Sequence, residues 1–108
     1  MNAQIPEVVA SYFKASNAND IDALADCFSP DASVSDENQT HHGTAEIKAW
    51  SENVRKKFTF STEMLSATEG AGGLIVTAKL SGNFPGSPVD LDYKFTLNKD
   101  KISSLEIS

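Results

Sequence analysis

Beyond Lys57 the chain alternates apolar and polar side chains in four long stretches, each separated from the next by a turn. Phe58, Phe60, Thr62 and Met64 alternate with Thr59, Ser61, Glu63 and Leu65, and Leu74, Val76, Ala78 and Leu80 follow a turn over Gly70–Gly73. After a second turn at Gly82–Gly86, Val89, Leu91, Tyr93, Phe95 and Leu97 point one way while Asp90, Asp92, Lys94 and Thr96 point the other. Asn98–Lys101 makes a tight turn, and Ile102, Leu105 and Ile107 close the set. A period of two marks strands buried on one face. Four such strands joined by hairpins form an antiparallel meander whose single apolar face needs a cover.

Only the N-terminal half can supply that cover, and it reads as helices. From Pro6, a residue suited to a first helical turn, Val8, Val9, Tyr12 and Phe13 recur at helical spacing. The run Asn17–Asp20 interrupts the pattern, and Asp20 is placed to cap a second helix carrying Ile21, Leu24, Ala25 and Phe28, ending before Pro30. Asp31–Asp36 alternates Ala32, Val34 and Asp36 with Ser33 and Ser35, as a short strand does. A polar loop runs through Thr40 and ends at Gly43, and a third helix from about Thr44, read as its cap, carries Ile47, Trp50, Ser51 and Val54 on one face. Helices first and strands afterwards make an α+β chain rather than a βαβ one. At 108 residues it is expected to be one domain over 1–108, without repeat or linker.

The charge balance narrows the partners. Nine Lys and Arg against fifteen Asp and Glu leave a formal charge of −6. Such a surface repels phosphate backbones and anionic lipid, so neither nucleic acid nor a membrane is expected as a partner. Arg55, Lys56 and Lys57 form the single basic cluster, read here as a solvated helix end favoured by the helix dipole. The lone cysteine, Cys27, lies in an apolar-periodic stretch and reads as a small core residue. Met1–Ile5 has no basic segment or apolar run of signal-peptide type, and no stretch has the length of a membrane span. These features give the expectation of a reduced, cytoplasmic protein.

Several phrases, taken in order, resemble the SnoaL-like branch of the nuclear-transport-factor-2-like superfamily. They are Cys27-Phe-Ser-Pro-Asp-Ala32 leading into a strand, Gly43-Thr-Ala-Glu-Ile47 with Trp50 on a helix, and Tyr93-Lys-Phe-Thr-Leu97 followed by Asp100-Lys-Ile102 and Leu105-Glu-Ile107. The resemblance implies a cone-shaped, curved antiparallel sheet packed on three N-terminal helices, a cystatin-like roll with a mostly apolar cavity at one end. It also implies a homodimer through the outer sheet face, and neither metal nor organic cofactor. The fold hosts isomerases, dehydratases, cyclases and non-catalytic modules, so it does not choose the function.

Catalytic members of that superfamily place a general base or a proton-donating acid in an apolar cavity. Asp36 ends the first short strand where such a cavity opens, although Glu37 and Asn38 beside it read equally as an exposed loop. Asp90 and Asp92 alternate away from the apolar set, on the solvated or dimer-forming face. Of the adjacent His41 and His42, only one can face a cavity if the segment is extended; His42 is taken as partner to Asp36 or as an alternative base. The bland alternative is a polar loop histidine bonded to backbone. The histidine pair beside Asp36 invites a metal reading, but no further ligand at metal-site spacing supports it. Tyr12 is the candidate hydrogen-bond donor to a carbonyl oxygen, and Trp50, Phe13, Phe60 and Tyr93 are the candidate ligand walls, against simple core packing. The expected function is acid/base isomerisation, cyclisation or dehydration of a small hydrophobic carbonyl compound. The alternative is a non-catalytic ligand-binding or dimerisation module.

Overall fold

The computed structural model describes residues 5–36, 38–70 and 73–108. Met1–Gln4, Glu37, and Ala71 and Gly72 at the centre of the expected first hairpin turn lie outside the described residues. Among the described residues three helices, α1 (Glu7–Ala18), α2 (Ile21–Asp26) and α3 (Thr44–Lys57), accompany six strands. The strands are β1 (Phe28–Asp36), β2 (Gln39–His42), β3 (Phe60–Gly70), β4 (Gly73–Gly82), β5 (Val89–Asn98) and β6 (Lys101–Ile107). They form one sheet in the order β2-β1-β6-β5-β4-β3. The expected meander is its larger part, β3 to β6, with every pair antiparallel. The chain is an α+β fold with the helices covering one face of a curved sheet.

One pairing crosses the chain. β1 runs parallel to β6, with Val34 beside Leu105 and Phe28 beside Ile102. This joins the N-terminal half to the last strand and lets the β1–β2 hairpin extend the sheet. The apolar set then converges as the alternation requires. Val34, Val76, Phe95, Ile102 and Leu105 from the strands meet Val9 and Ile47 from the helices, and all are essentially inaccessible to solvent. Tyr12 and Phe13 on α1 pack edge-on against Phe95 at ring-centroid distances of 5.5 and 5.8 Å. Burying aromatic side chains of this size supplies much of the driving force for the layer contact.

Four local expectations need correction. Phe28 opens β1 instead of completing the second helix, because the residue before Pro30 is pushed out of helical geometry and the chain is already extended. Gln39–His42 is a strand, not a loop. The cap of α3 is Gly43, at φ 86°, rather than Thr44. Phe58 closes α3 in extended geometry and β3 starts at Phe60; a register shift between Met64 and Ser66 then breaks the strict alternation, leaving both Met64 and Leu65 exposed. The Asp20 cap forms as expected, its Oδ1 accepting from the Ala23 amide at 3.1 Å. Asp20→Ala is expected to remove about 1 kcal/mol of stability, a fall in Tm of about 4–8 °C in a thermal melt.

Candidate functional site

β1 delivers Ala32, Val34 and Asp36 to the same face, two residues apart. The first two are fully buried, so the strand carries Asp36 from the core to its edge. Trp50 projects from the apolar stripe of α3, and its indole Nε1–H donates to Asp36 Oδ2 at 3.1 Å. Tyr12 on α1 and Tyr93 on β5 add two phenols, both nearly inaccessible to solvent, with ring centroids 6.3 Å apart. Together they line a cavity of about 470 Å³ whose other walls include Leu24, Val54, Phe58, Phe60, Leu80, Val89, Leu91 and Ile107. Phe84, Pro85 and Gly86 from the β4–β5 loop form one side of it. That loop is seated where Gly82 passes Thr59: a Cβ on Gly82 would stand 2.2 Å from the Thr59 carbonyl oxygen, so no larger residue fits without moving the backbone.

The electrostatics of the set are asymmetric. Burial drives the Tyr12 phenol well above its ordinary pKa, with Tyr93 and then Asp36 adding to the shift. Burial does the same to Tyr93, again with Asp36 contributing. Both rings are therefore neutral hydroxyl groups at any physiological pH, able to donate a hydrogen bond and unable to act as bases. Asp36 is the carboxylate among the described lining residues. A carboxylate with a fixed indole donor, two phenols and a largely hydrocarbon wall is an arrangement that can accept a proton from a bound carbon acid.

Asp36, Tyr12, Trp50, Phe60 and Tyr93 all line this cavity. Phe13 is not among the lining residues; it stands behind them, edge-on to Tyr12 at 5.2 Å and to Tyr93 at 5.1 Å. His42 is not among them either. It pairs with Ser33, its side chain is exposed, and its backbone N–H donates to Glu46 Oε1 at 2.8 Å to help fix the start of α3. His41 pairs with Val34, and its ring lies 6.1 Å from that of Trp50, so the inward-leaning histidine is the other one of the two. Asp90 and Asp92 are exposed on the outer face, where Asp92 accepts from Thr77 Oγ1 at 2.8 Å.

Arg55 departs from its expectation as part of a solvated triplet. It is half-buried on the cavity wall, donating through Nη1 to the Phe60 carbonyl at 2.7 Å and through Nη2 to the Ser16 carbonyl and hydroxyl. Its guanidinium carbon sits 4.0 Å over the Phe60 ring. Desolvation lowers its pKa from the ordinary arginine value. The signal was present in the spacing, since Arg55 lies four residues after Ser51 and so on the buried stripe of α3.

Residues 9–103 match the SnoaL-like domain family. The chain belongs to that family. A candidate polyketide cyclase from Sinorhizobium meliloti is 42% identical to this SnoaL-like chain, over 96% of this chain and 95% of its own, with a TM-score of 0.92. A Catenulispora acidiphila protein of ketosteroid isomerase-like fold, crystallised with trimethylamine, is 18% identical over 97% and 86% of the two chains, at a TM-score of 0.85. TerC, co-crystallised with polyporic acid, is 16% identical over 94% and 88%, at a TM-score of 0.81. At these lower identities the likeness is one of fold. No curated protein matches the sequence. Among the described residues no three His, Cys, Asp or Glu side chains gather as a metal-binding group, and no helix is long and apolar enough to cross a membrane.

Proposed function

We propose that this SnoaL-like protein binds a small hydrophobic carbonyl compound in the cavity and catalyses its enolisation, as an isomerase, cyclase or dehydratase without a cofactor. The observation that carries the reading is the Asp36 carboxylate, held by the Trp50 indole on the wall of an otherwise largely apolar cavity. Asp36 takes the proton from the carbon next to the carbonyl, and the C–H electron pair moves into the enolate. Tyr12, kept as a phenol by burial, donates to the enolate oxygen. The proton then returns at another carbon, or the enolate carbon attacks a second carbonyl of the same molecule. Trp50, Phe60 and Tyr93 hold the hydrocarbon part. Among the described lining residues the base is Asp36, since the His42 side chain is exposed and His42 does not line the cavity.

The likeness to a candidate polyketide cyclase supports the same substrate class, carbonyl-rich and activated at carbon. The working form in this reading is a cytoplasmic homodimer through the outer sheet face, where Ile75 and Thr77 lie among Lys79, Asp90, Asp92 and Lys94. A binding module of the same fold is the second reading, favoured by the predominance of carbon in the cavity wall. Proton exchange separates the two. In D₂O the protein is expected to accelerate deuterium incorporation next to the carbonyl of aryl ketones and lactones that raise its Tm, followed by NMR. Ligands that bind without any accelerated exchange would move the assignment to the binding module.

A further inference from the structure

The cavity carries more positive than negative charge, in a chain whose net charge is −6. Its acidic and basic lining residues among those described are Asp36, Arg55 and Lys57, two basic side chains against one carboxyl, and burial keeps both phenols neutral. The ion pair found among the described residues, Lys48 with Asp22 at 3.1 Å, involves neither Arg55 nor Lys57. Arg55 is held instead by three neutral oxygens: the Phe60 carbonyl, the Ser16 carbonyl and the Ser16 hydroxyl. Those bonds fix the guanidinium in place without compensating its charge. A guanidinium offers five N–H donors in a fixed fork, and two or three are committed here. The Phe60 ring beneath it closes one face and pre-orients the rest. A desolvated, immobilised cation on a cavity wall, with no ion-pair partner among the described residues, is a receptor for an anion.

We propose that the ligand of this cavity carries a carboxylate or similarly small anionic group in addition to its carbonyl, and that Arg55, with Lys57 at the rim, receives that group. The proposal rests on the cavity being a ligand site, and it names the substrate class. Distance along α3 sets the shape. Arg55 lies five residues beyond Trp50, a rise of about 7.5 Å, so the anion and the carbon acid facing Asp36 stand apart on the same molecule. The substrate class is an amphipathic keto acid: anion at the α3 C-terminal end, hydrocarbon against Phe60 and Leu91, enolisable carbonyl towards Asp36 and Tyr12. Arg55 then has a second consequence for the chemistry. It anchors the charged end so that the neutral end meets the carboxylate base, and it disfavours the reversed pose, which would put two anions together.

The test uses 4-acetylbenzoate and its methyl ester, which share ring and ketone and differ in the charge. Calorimetric titration at neutral pH is expected to show the acid binding about 10- to 100-fold more tightly than the ester, the range of one charge-assisted hydrogen-bond pair. Arg55→Gln is expected to bring the two affinities together, Lys57→Gln to narrow the gap slightly, and Asp36→Asn to leave the preference for the acid in place. Equal affinities in the unsubstituted protein, tighter binding of the ester, or no saturable binding of the acid would each overturn the proposal. That comparison needs no variant, so it stands even if Arg55→Gln loosens the tie between α1 and β3. Asp36-dependent exchange of the ester's acetyl protons with no preference for the acid would remove the anion assignment and leave the enolisation reading intact. A preference for the acid with no exchange of either compound would do the reverse.

Discussion

Above about pH 10 the protein is expected to lose stability at a rate approaching 2.7 kcal/mol per pH unit, twice the 1.36 kcal/mol that one proton contributes. The cause is the pair Tyr12 and Tyr93. In the unfolded chain both phenols ionise with an ordinary pKa of 10.0; in the folded protein burial, with Asp36 adding to it, holds both above that value, and Tyr93 adds further to the shift of Tyr12. The folded state therefore retains two protons that the unfolded state has released, and unfolding becomes more favourable as the pH rises. The stability attached to these groups is fully present below pH 10 and is lost progressively towards their raised folded values. Cys27, whose thiol burial also pushes up from 9.0, adds with the same sign from a slightly lower pH. The loss accumulates until the folded-state phenols themselves ionise, and it draws on a total stability that is small for domains this size. Urea melts at successive pH values, read beside tyrosinate absorbance, provide the check. Tyr93→Phe is expected to halve the slope, since phenylalanine fills the same space without a proton to lose. Phenols that titrate near pH 10 while the protein remains folded would show that the rings are reached by water.

The same two residues show what the sequence makes legible and what it hides. Tyr93 falls in a five-residue alternation with Val89, Leu91, Phe95 and Leu97, and Tyr12 in a helical stripe, so the inward direction of each follows from spacing alone. Asp36 is legible for the same reason, because it continues Ala32 and Val34. What spacing cannot supply is contact across the chain. The parallel pairing of β1 with β6 joins residues some seventy positions apart, and neither strand's own pattern names its neighbour. β2 is hidden for a different reason. Gln39-Thr-His-His lies at the sheet edge and its stability comes from backbone pairing with β1, so its side chains carry no apolar signature. Phe28 misleads because it sits four residues after Leu24, the spacing that would continue a helix, while Pro30 forces the local chain to extend. Arg55 was masked by Lys56 and Lys57. Three adjacent cations look like one solvated patch, yet successive helical residues point about 100° apart, and only the first of the three shares the stripe of Ser51.

In an assay of ketone enolisation, Asp36→Asn is expected to lower kcat/KM by about 10²- to 10⁴-fold, the loss of one positioned general base. Asparagine is close to isosteric and retains a carbonyl oxygen that can accept from the Trp50 indole, so the cavity keeps its shape while the basic oxygen is gone. Tyr12→Phe should cost about 10²- to 10³-fold, as expected for removing one donor to a developing oxyanion. It leaves the ring contacts with Phe13 and Phe28 in place and so should bind ligand nearly as tightly. Trp50→Phe should cost least, about tenfold in kcat, because it leaves the base but removes the N–H that orients it. The order of the three is the discriminating result. A purely structural role for Asp36 would lower Tm and leave the kinetics of the remaining folded protein unchanged, whereas a base predicts a slow enzyme with its melting temperature nearly intact. Loss of activity that tracks Tm across all three variants would refute the assignment. Loss that follows proton-transfer role, with Asp36→Asn slowest and ligand affinity preserved, would fix Asp36 as the base and Tyr12 as the donor that faces it.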